Sequence, residues 1–146
     1  ITGPLNMPGG RDRFSGWKAA IRDAGLEQGP IAEGDFTAIG GARAMRELLD
    51  SSQEFDGVFI ASDLMASGAV PVVYERGLRI PQDLKVVGYD DSPAATLVEP
   101  GLTTVSQPSR RMGWIMADIL LGLLAGRDVY PNEVILDTEL VVRETA

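Results

Sequence analysis

Ile80-Pro81-Gln82-Asp83-Leu84-Lys85-Val86-Val87-Gly88-Tyr89-Asp90-Asp91 decides the architecture of this chain. It reads as the exit of a helix, a proline stop, a short strand and a glycine-opened loop carrying two carboxylates. Val86 and Val87 are β-branched and apolar, which suits a strand covered on both faces. Gly88 follows at once, so Tyr89, Asp90 and Asp91 fall at the strand's C-terminal end, the edge where open α/β sheets bind ligands. A carboxylate fixed there accepts two hydrogen bonds from neighbouring hydroxyls, the chemistry of holding a sugar or a nucleoside. Adjacent residues on an extended segment point to opposite sides, so Asp90 and Asp91 make a poor acid–base dyad. One of them binds ligand and the other caps a turn or helix, with Asp90 as the ligand residue.

Outward on the N-terminal side the alternation of strand and helix repeats. Residues 1–5 read as the tail of a strand. A helix over 11–24 carries Phe14, Trp17, Ile21 and Ala24 on one face, with Gly25 as its stop, and this stripe predicts Trp17 in the core. Residues 31–34 form a short strand candidate ending in Asp35-Phe36-Thr37, and a helix over 38–52 turns Ala42, Met45, Leu48 and Leu49 inward. A buried strand over 57–61 leads to Ser62-Asp63, which cap a helix of 63–76. Pro71 inside that helix removes a hydrogen bond to the Ser67 carbonyl and predicts a kink or two shorter helices. The order β-α-β-α-β-α-β implies an α/β fold: a doubly wound, mostly parallel sheet with helices on both faces. Beyond Asp91 the pattern changes: an irregular loop over 92–101, an extended segment 102–105, a helix 110–124, and two closing extended segments, 132–136 and 139–143.

Composition narrows the chemistry. At 146 residues with 45% apolar content the chain is one ordinary domain with enough material for a core. Thirteen Lys and Arg against 21 Asp and Glu give a net charge of −8, so this chain does not wrap nucleic acid by itself. There is no cysteine and no histidine, which removes disulfides, the Ser-His-Asp triad, the Cys-His pair and nearly every catalytic zinc arrangement. No metal site and no cofactor are expected, and an enzyme is the least favoured class. Gly9-Gly10 before a helix lacks G-x-G-x-x-G and Gly-Lys-Ser/Thr, so a nucleotide cradle is a weak reading there. The opening Ile1-Thr2-Gly3-Pro4 has no initiator methionine and no export signal, the mark of a fragment or a processed product. The longest apolar run, 112–125, is interrupted by Asp118 and too short to span a bilayer.

That run raises a separate issue. Trp114, Ile115, Met116, Ile119, Leu120, Leu121, Leu123 and Leu124 cover nearly every face of their helix. A helix apolar all round has to be buried on all sides. Too little of the chain is left over to cover it, so its cover is expected from further sequence or from a second chain.

Four stretches in register carry a family likeness: Arg13-Phe14-Ser15-Gly16-Trp17, Phe59-Ile60-Ala61-Ser62-Asp63-Leu64-Met65-Ala66, Ile80-Pro81 through Asp91, and Leu102-Thr103-Thr104-Val105-Ser106-Gln107-Pro108. On these the whole chain resembles the effector-binding domain of the LacI/GalR family of bacterial transcription regulators, which has the periplasmic-binding-protein type I fold. The resemblance implies that residues 1–106 and 137–146 form the C-terminal subdomain. Residues 107–136 would be a return segment belonging to an N-terminal subdomain, and the DNA-binding domain would lie outside this chain.

The same resemblance implies a ligand set. Arg13 would aim its guanidinium fork at ligand hydroxyls or a carboxylate, and Asp90 would accept from a pair of hydroxyls. Ser62 would add a hydrogen bond, Phe36 a ring face for stacking, and Gln107 a contact from the crossover strand. Each has a structural alternative: Arg13 as a solvated first-turn residue, Phe36 as core, Ser62 as a plain N-cap, Gln107 as a partner for loop backbone. Implied partners are a small effector such as a sugar, operator DNA through the absent domain, and a second copy contacting through the helix near 64–74. There Val70, Val72, Val73 and Tyr74 would supply apolar area. No membrane partner is implied, and the setting is cytoplasmic. The second reading, from a different class, is a sugar-binding receptor for transport with the same fold.

Overall fold

In the computed structural model, which describes residues 1–127 and 133–146, a mostly parallel sheet is built around the segment of Val86 and Val87. Its strands are β1 (Gly57–Phe59), β2 (Lys85–Asp90), β3 (Thr103–Ser106) and β4 (Glu139–Val141), in that spatial order. The β1–β2 and β2–β3 pairs are parallel, with Val58 opposite Val86 and Asp90 opposite Ser106; β4 returns antiparallel, with Thr104 opposite Val141. The two strands expected over 1–5 and 31–34 shrink to a single parallel bridge between Thr2 and Glu33. They still extend the sheet through backbone bonds: Ala61 N donates to Ile1 O, and Thr2 N to Ala32 O.

One face of the sheet is covered by α2 (Ala38–Leu49), α3 (Asp63–Glu75) and a 3-10 turn, Pro93–Leu97, inside the expected loop. Each helix starts where a hydroxyl satisfies an orphan backbone donor: Thr37 Oγ1 accepts from Gly40 N and Ser62 Oγ from Met65 N. Gly41 and Gly68 let the two helices approach, since a Cβ on either would overlap backbone of the other helix. Met45, Ile60, Met65, Val72, Val73, Leu84, Val86 and Leu102 fill the core between these layers with essentially no exposed surface. The expected inward set on α2 is found there, Ala42 and Leu49 being partly covered.

Three expectations change. α3 runs as one helix through Pro71, because that ring lies on the exposed side while Val70, Val72 and Val73 anchor the other side in the core. For the same reason those valines have no surface to offer a second copy. Leu64, Pro71 and Tyr74 are the exposed stripe of α3. On the opposite face of the sheet, α1 (Pro8–Asp23) buries only Gly10 fully. Trp17 is therefore half-exposed and outside the core: it stacks on Phe14, ring centroids 6.0 Å apart, beside a small cavity shared with Phe55 and Phe59.

α4 (Ser109–Leu124) leaves the sheet after β3 and keeps its apolar surface uncovered, with Trp114 70% and Leu124 76% exposed and Gly122 its one buried residue. The expected strand over 132–136 begins outside the described residues; from Glu133 to Asp137 no strand pairing occurs. Among the described residues no helix is long and apolar enough to cross a membrane.

Candidate functional site

The C-terminal ends of β2 and β3 place Asp90 and Gln107 side by side. Gln107 Nε2 donates to Asp90 Oδ1 at 2.6 Å, and its backbone N–H reaches the Asp90 carbonyl at 3.3 Å. From α1, Arg13 reaches over the same edge. Its Nη2 lies 3.1 Å from Asp90 Oδ1, and Nη1 donates to the Ala61 carbonyl at the end of the neighbouring strand segment. Its guanidinium lies 4.0 Å from the centroid of the Tyr89 ring and 5.8 Å from that of Phe36. A planar cation between two ring faces gains cation–π attraction and keeps its fork in a fixed plane.

The loop before α2 holds Phe36. Asp35 Oδ1 accepts from Thr37 N at 2.9 Å and from Thr37 Oγ1 at 2.7 Å, bonds that hold the Asp35 carboxyl below its ordinary range. The turn sets Phe36 at φ 64 and lays its ring across Gly3, where any Cβ would overlap it. Asp90 and Asp91 also have positive φ, 118 and 51. Left-handed backbone is uphill for residues other than glycine, and such positions gather where a site fixes side chains. All three non-glycine examples among the described residues lie here.

Burial pushes the Asp90 carboxyl above the usual carboxylate range; the Arg13 charge opposes this, the Asp63 charge reinforces it, and the hydrogen bonds from Gln107 and Arg13 oppose it. Arg13 is 16% exposed and Asp90 28%, so both are desolvated yet reachable. The protein's contacts to Asp90 fall on Oδ1, and a ligand hydroxyl has access to the carboxylate. Beside this pair an open groove of about 670 Å³ is lined by Gly9, Arg13, Trp17, Tyr89, Val105 and Gln107 among others. Aromatic walls with a few fixed polar groups suit a polyhydroxylated ring.

Four of the five residues singled out in the sequence therefore gather: Arg13, Phe36, Asp90 and Gln107. Ser62 stands apart, 4% exposed with its hydroxyl occupied as the cap of α3. Sequence reasoning gave no role to Tyr89, although its aromatic ring next to Asp90 was a usable signal. It also read Asp63 as a cap. That side chain is fully buried and accepts from Thr104 Oγ1 at 2.6 Å and Ser92 N at 2.7 Å, tying α3 to β3 and to the loop after Asp91. Among the described residues no cluster of His, Cys, Asp or Glu is placed to hold a metal ion.

A mostly parallel α/β sheet with fixed polar and aromatic side chains at its strand ends is the architecture of a small-molecule-binding α/β domain. The family model for the periplasmic binding protein-like domain matches residues 1–146. The HTH-type transcriptional regulator CelR of Thermobifida fusca is 44% identical over 147 residues, covering 99% of this chain and 43% of that protein. A solved CelR–cellobiose complex superposes with a TM-score of 0.95 at 43% identity, covering all of this chain and 45% of the other. A lac repressor dimer bound to operator and the anti-inducer ONPF gives 0.87 at 36% identity, over 99% and 43%. The chain belongs to the periplasmic binding protein-like domain family, in the form found as the effector-binding domain of LacI/GalR-type regulators. It spans less than half the length of these relatives, which are transcriptional regulators.

Proposed function

We propose that this chain is the effector-sensing part of a sugar-responsive transcriptional regulator, and that its effector is a small sugar of the cellobiose kind. The observation that carries the reading is the convergence of Arg13, Asp90 and Gln107 on one strand edge, at 3.1 and 2.6 Å, under aromatic rings. Asp90 accepts from paired hydroxyls, the Arg13 fork donates, Gln107 donates from the crossover, and Phe36 and Tyr89 supply apolar faces. The likeness to CelR, solved with cellobiose, supports the sugar class. It favours regulation over a transport receptor and over catalysis.

The effector would bind between this lobe and a second one, shifting their relative angle through unequal affinity for the two arrangements. Residues 107–136 are assigned to the second lobe, in keeping with the uncovered apolar surface of α4. Operator DNA would be read by a domain outside this chain, in the cytoplasm. A second copy would pack on the exposed stripe Leu64, Pro71 and Tyr74.

The test is calorimetry with cellobiose and a panel of other sugars, on the full-length regulator and on this 146-residue chain. The full-length protein should bind one of them, and the chain alone should bind none tightly because half the cleft wall is absent. Micromolar binding by the chain alone would sink the half-cleft reading; no binding by either would sink the sugar reading.

A further inference from the structure

Two limbs connect this lobe to the segment that leaves it. The outgoing limb departs β3 through Gln107 into α4, and the returning limb re-enters as β4 and passes through Arg143 just beyond it. The tandem carboxylates grip one limb each. Asp90 Oδ1 takes the Gln107 side chain at 2.6 Å. Asp91 Oδ1 takes Arg143 Nη2 at 2.7 Å, while Nη1 of the same fork donates to the Leu102 carbonyl at 2.7 Å and the Arg143 backbone N–H to Thr103 Oγ1 at 2.9 Å. Arg143 thus bolts the loop after β2 to the start of β3.

The backbone between the grips is the unusual one. Asp90 and Asp91 lie at φ 118 and 51, conformations that persist only where surrounding contacts over-determine them. Asp91 has one ion-pair partner among the described residues, and that partner is Arg143. Removing the pair frees the peptide that aims the Asp90 carboxylate at Gln107 and Arg13.

We propose that Asp91 and Arg143 form a positioning pair: they hold Asp90 in its ligand-accepting orientation and couple occupancy of the site to the returning limb. The inference rests on the effector-site reading above. Neither residue is placed to touch ligand, and their effect is exerted through the Asp90–Asp91 backbone.

The experiment uses the full-length regulator carrying Arg143→Gln. Arg143→Lys, which keeps the charge but gives up the fork, is used should the first fail to fold. One readout needs no ligand: the side-chain amide resonances of Gln107, which should move from their wild-type positions in either variant. The second is cellobiose affinity by calorimetry, at a temperature where melting shows each variant folded, which should weaken about tenfold as Asp90 loses its fixed orientation. Unmoved Gln107 resonances, or an affinity within twofold of wild type, would overturn the coupling and leave the effector site standing. Should the wild type bind another sugar of the panel in place of cellobiose, that sugar is the probe; absence of binding to every sugar removes the effector reading, and the Gln107 resonances then decide the positioning role alone.

Discussion

Arg13 on α1 and Asp90 at the end of β2 lie far apart in sequence, yet their charged groups meet at 3.1 Å with the guanidinium 4.0 Å from the Tyr89 ring centroid. The pair is held by tertiary contacts on every side: Ala61 O and Tyr89 on the arginine, Gln107 on the aspartate. A desolvated, pre-aimed donor and acceptor cost stability and favour ligand recognition, because little ordering is left to do on binding.

Asp90→Asn should therefore bind effector far more weakly while melting no lower than wild type at pH 7. Because the folded-state value lies above the unfolded one, the fold favours the protonated carboxyl. The destabilisation is absent below the ordinary aspartate value of ~3.9, grows as pH rises from there and is complete once pH passes the raised value. The melting difference between variant and wild type should shrink as pH falls through the acid range. A variant much less stable than wild type at neutral pH would contradict this.

Arg13→Lys keeps the charge and discards the planar fork. It cannot hold Ala61 O and Asp90 together while lying flat against Tyr89, so effector affinity should fall by about tenfold or more. Thermal melting and calorimetry on the same preparation separate this from a folding defect.

Ser62 and Asp63 are adjacent and should behave differently. Ser62→Ala loses the cap on Met65 N and should cost about 1 kcal/mol with effector affinity unchanged. Asp63→Asn leaves Ser92 N or Thr104 Oγ1 without its buried acceptor and should cost about 2 kcal/mol or more. Urea unfolding of both variants, with calorimetry on Ser62→Ala, checks the pair; a large affinity loss in Ser62→Ala would restore it to the ligand set.

Exposure of Trp114, Leu120, Leu121 and Leu124 on α4 predicts that the isolated chain self-associates. Sedimentation should show concentration-dependent mass, reduced by Leu121→Glu with Leu124→Glu. A wild-type chain that stays monomeric at high concentration would refute the prediction.

The order of elements could be read from residue patterns, because strand and helix periodicities are local and the capping residue Ser62 stands at its proper offset. Boundaries moved by a few residues, as for the strands near Thr2 and Glu33, where pairing depends on neighbours. Trp17 and the valines of α3 were misplaced for a related reason. An apolar stripe says that a face is to be covered, and only packing says which face and by what.

Local chemistry alone settled that a strand follows Pro81, that a helix starts after Ser62, and that cysteine and histidine chemistry is excluded, since each rests on residue type and short spacing; the strand itself runs on past Gly88 to Asp90. Tertiary structure alone decided that Tyr89 flanks Arg13, that Asp63 is a buried tie and that Asp91 pairs with Arg143, 52 residues away. Contacts between distant residues depend on how strands are ordered in the sheet, and no local pattern of side chains encodes that order.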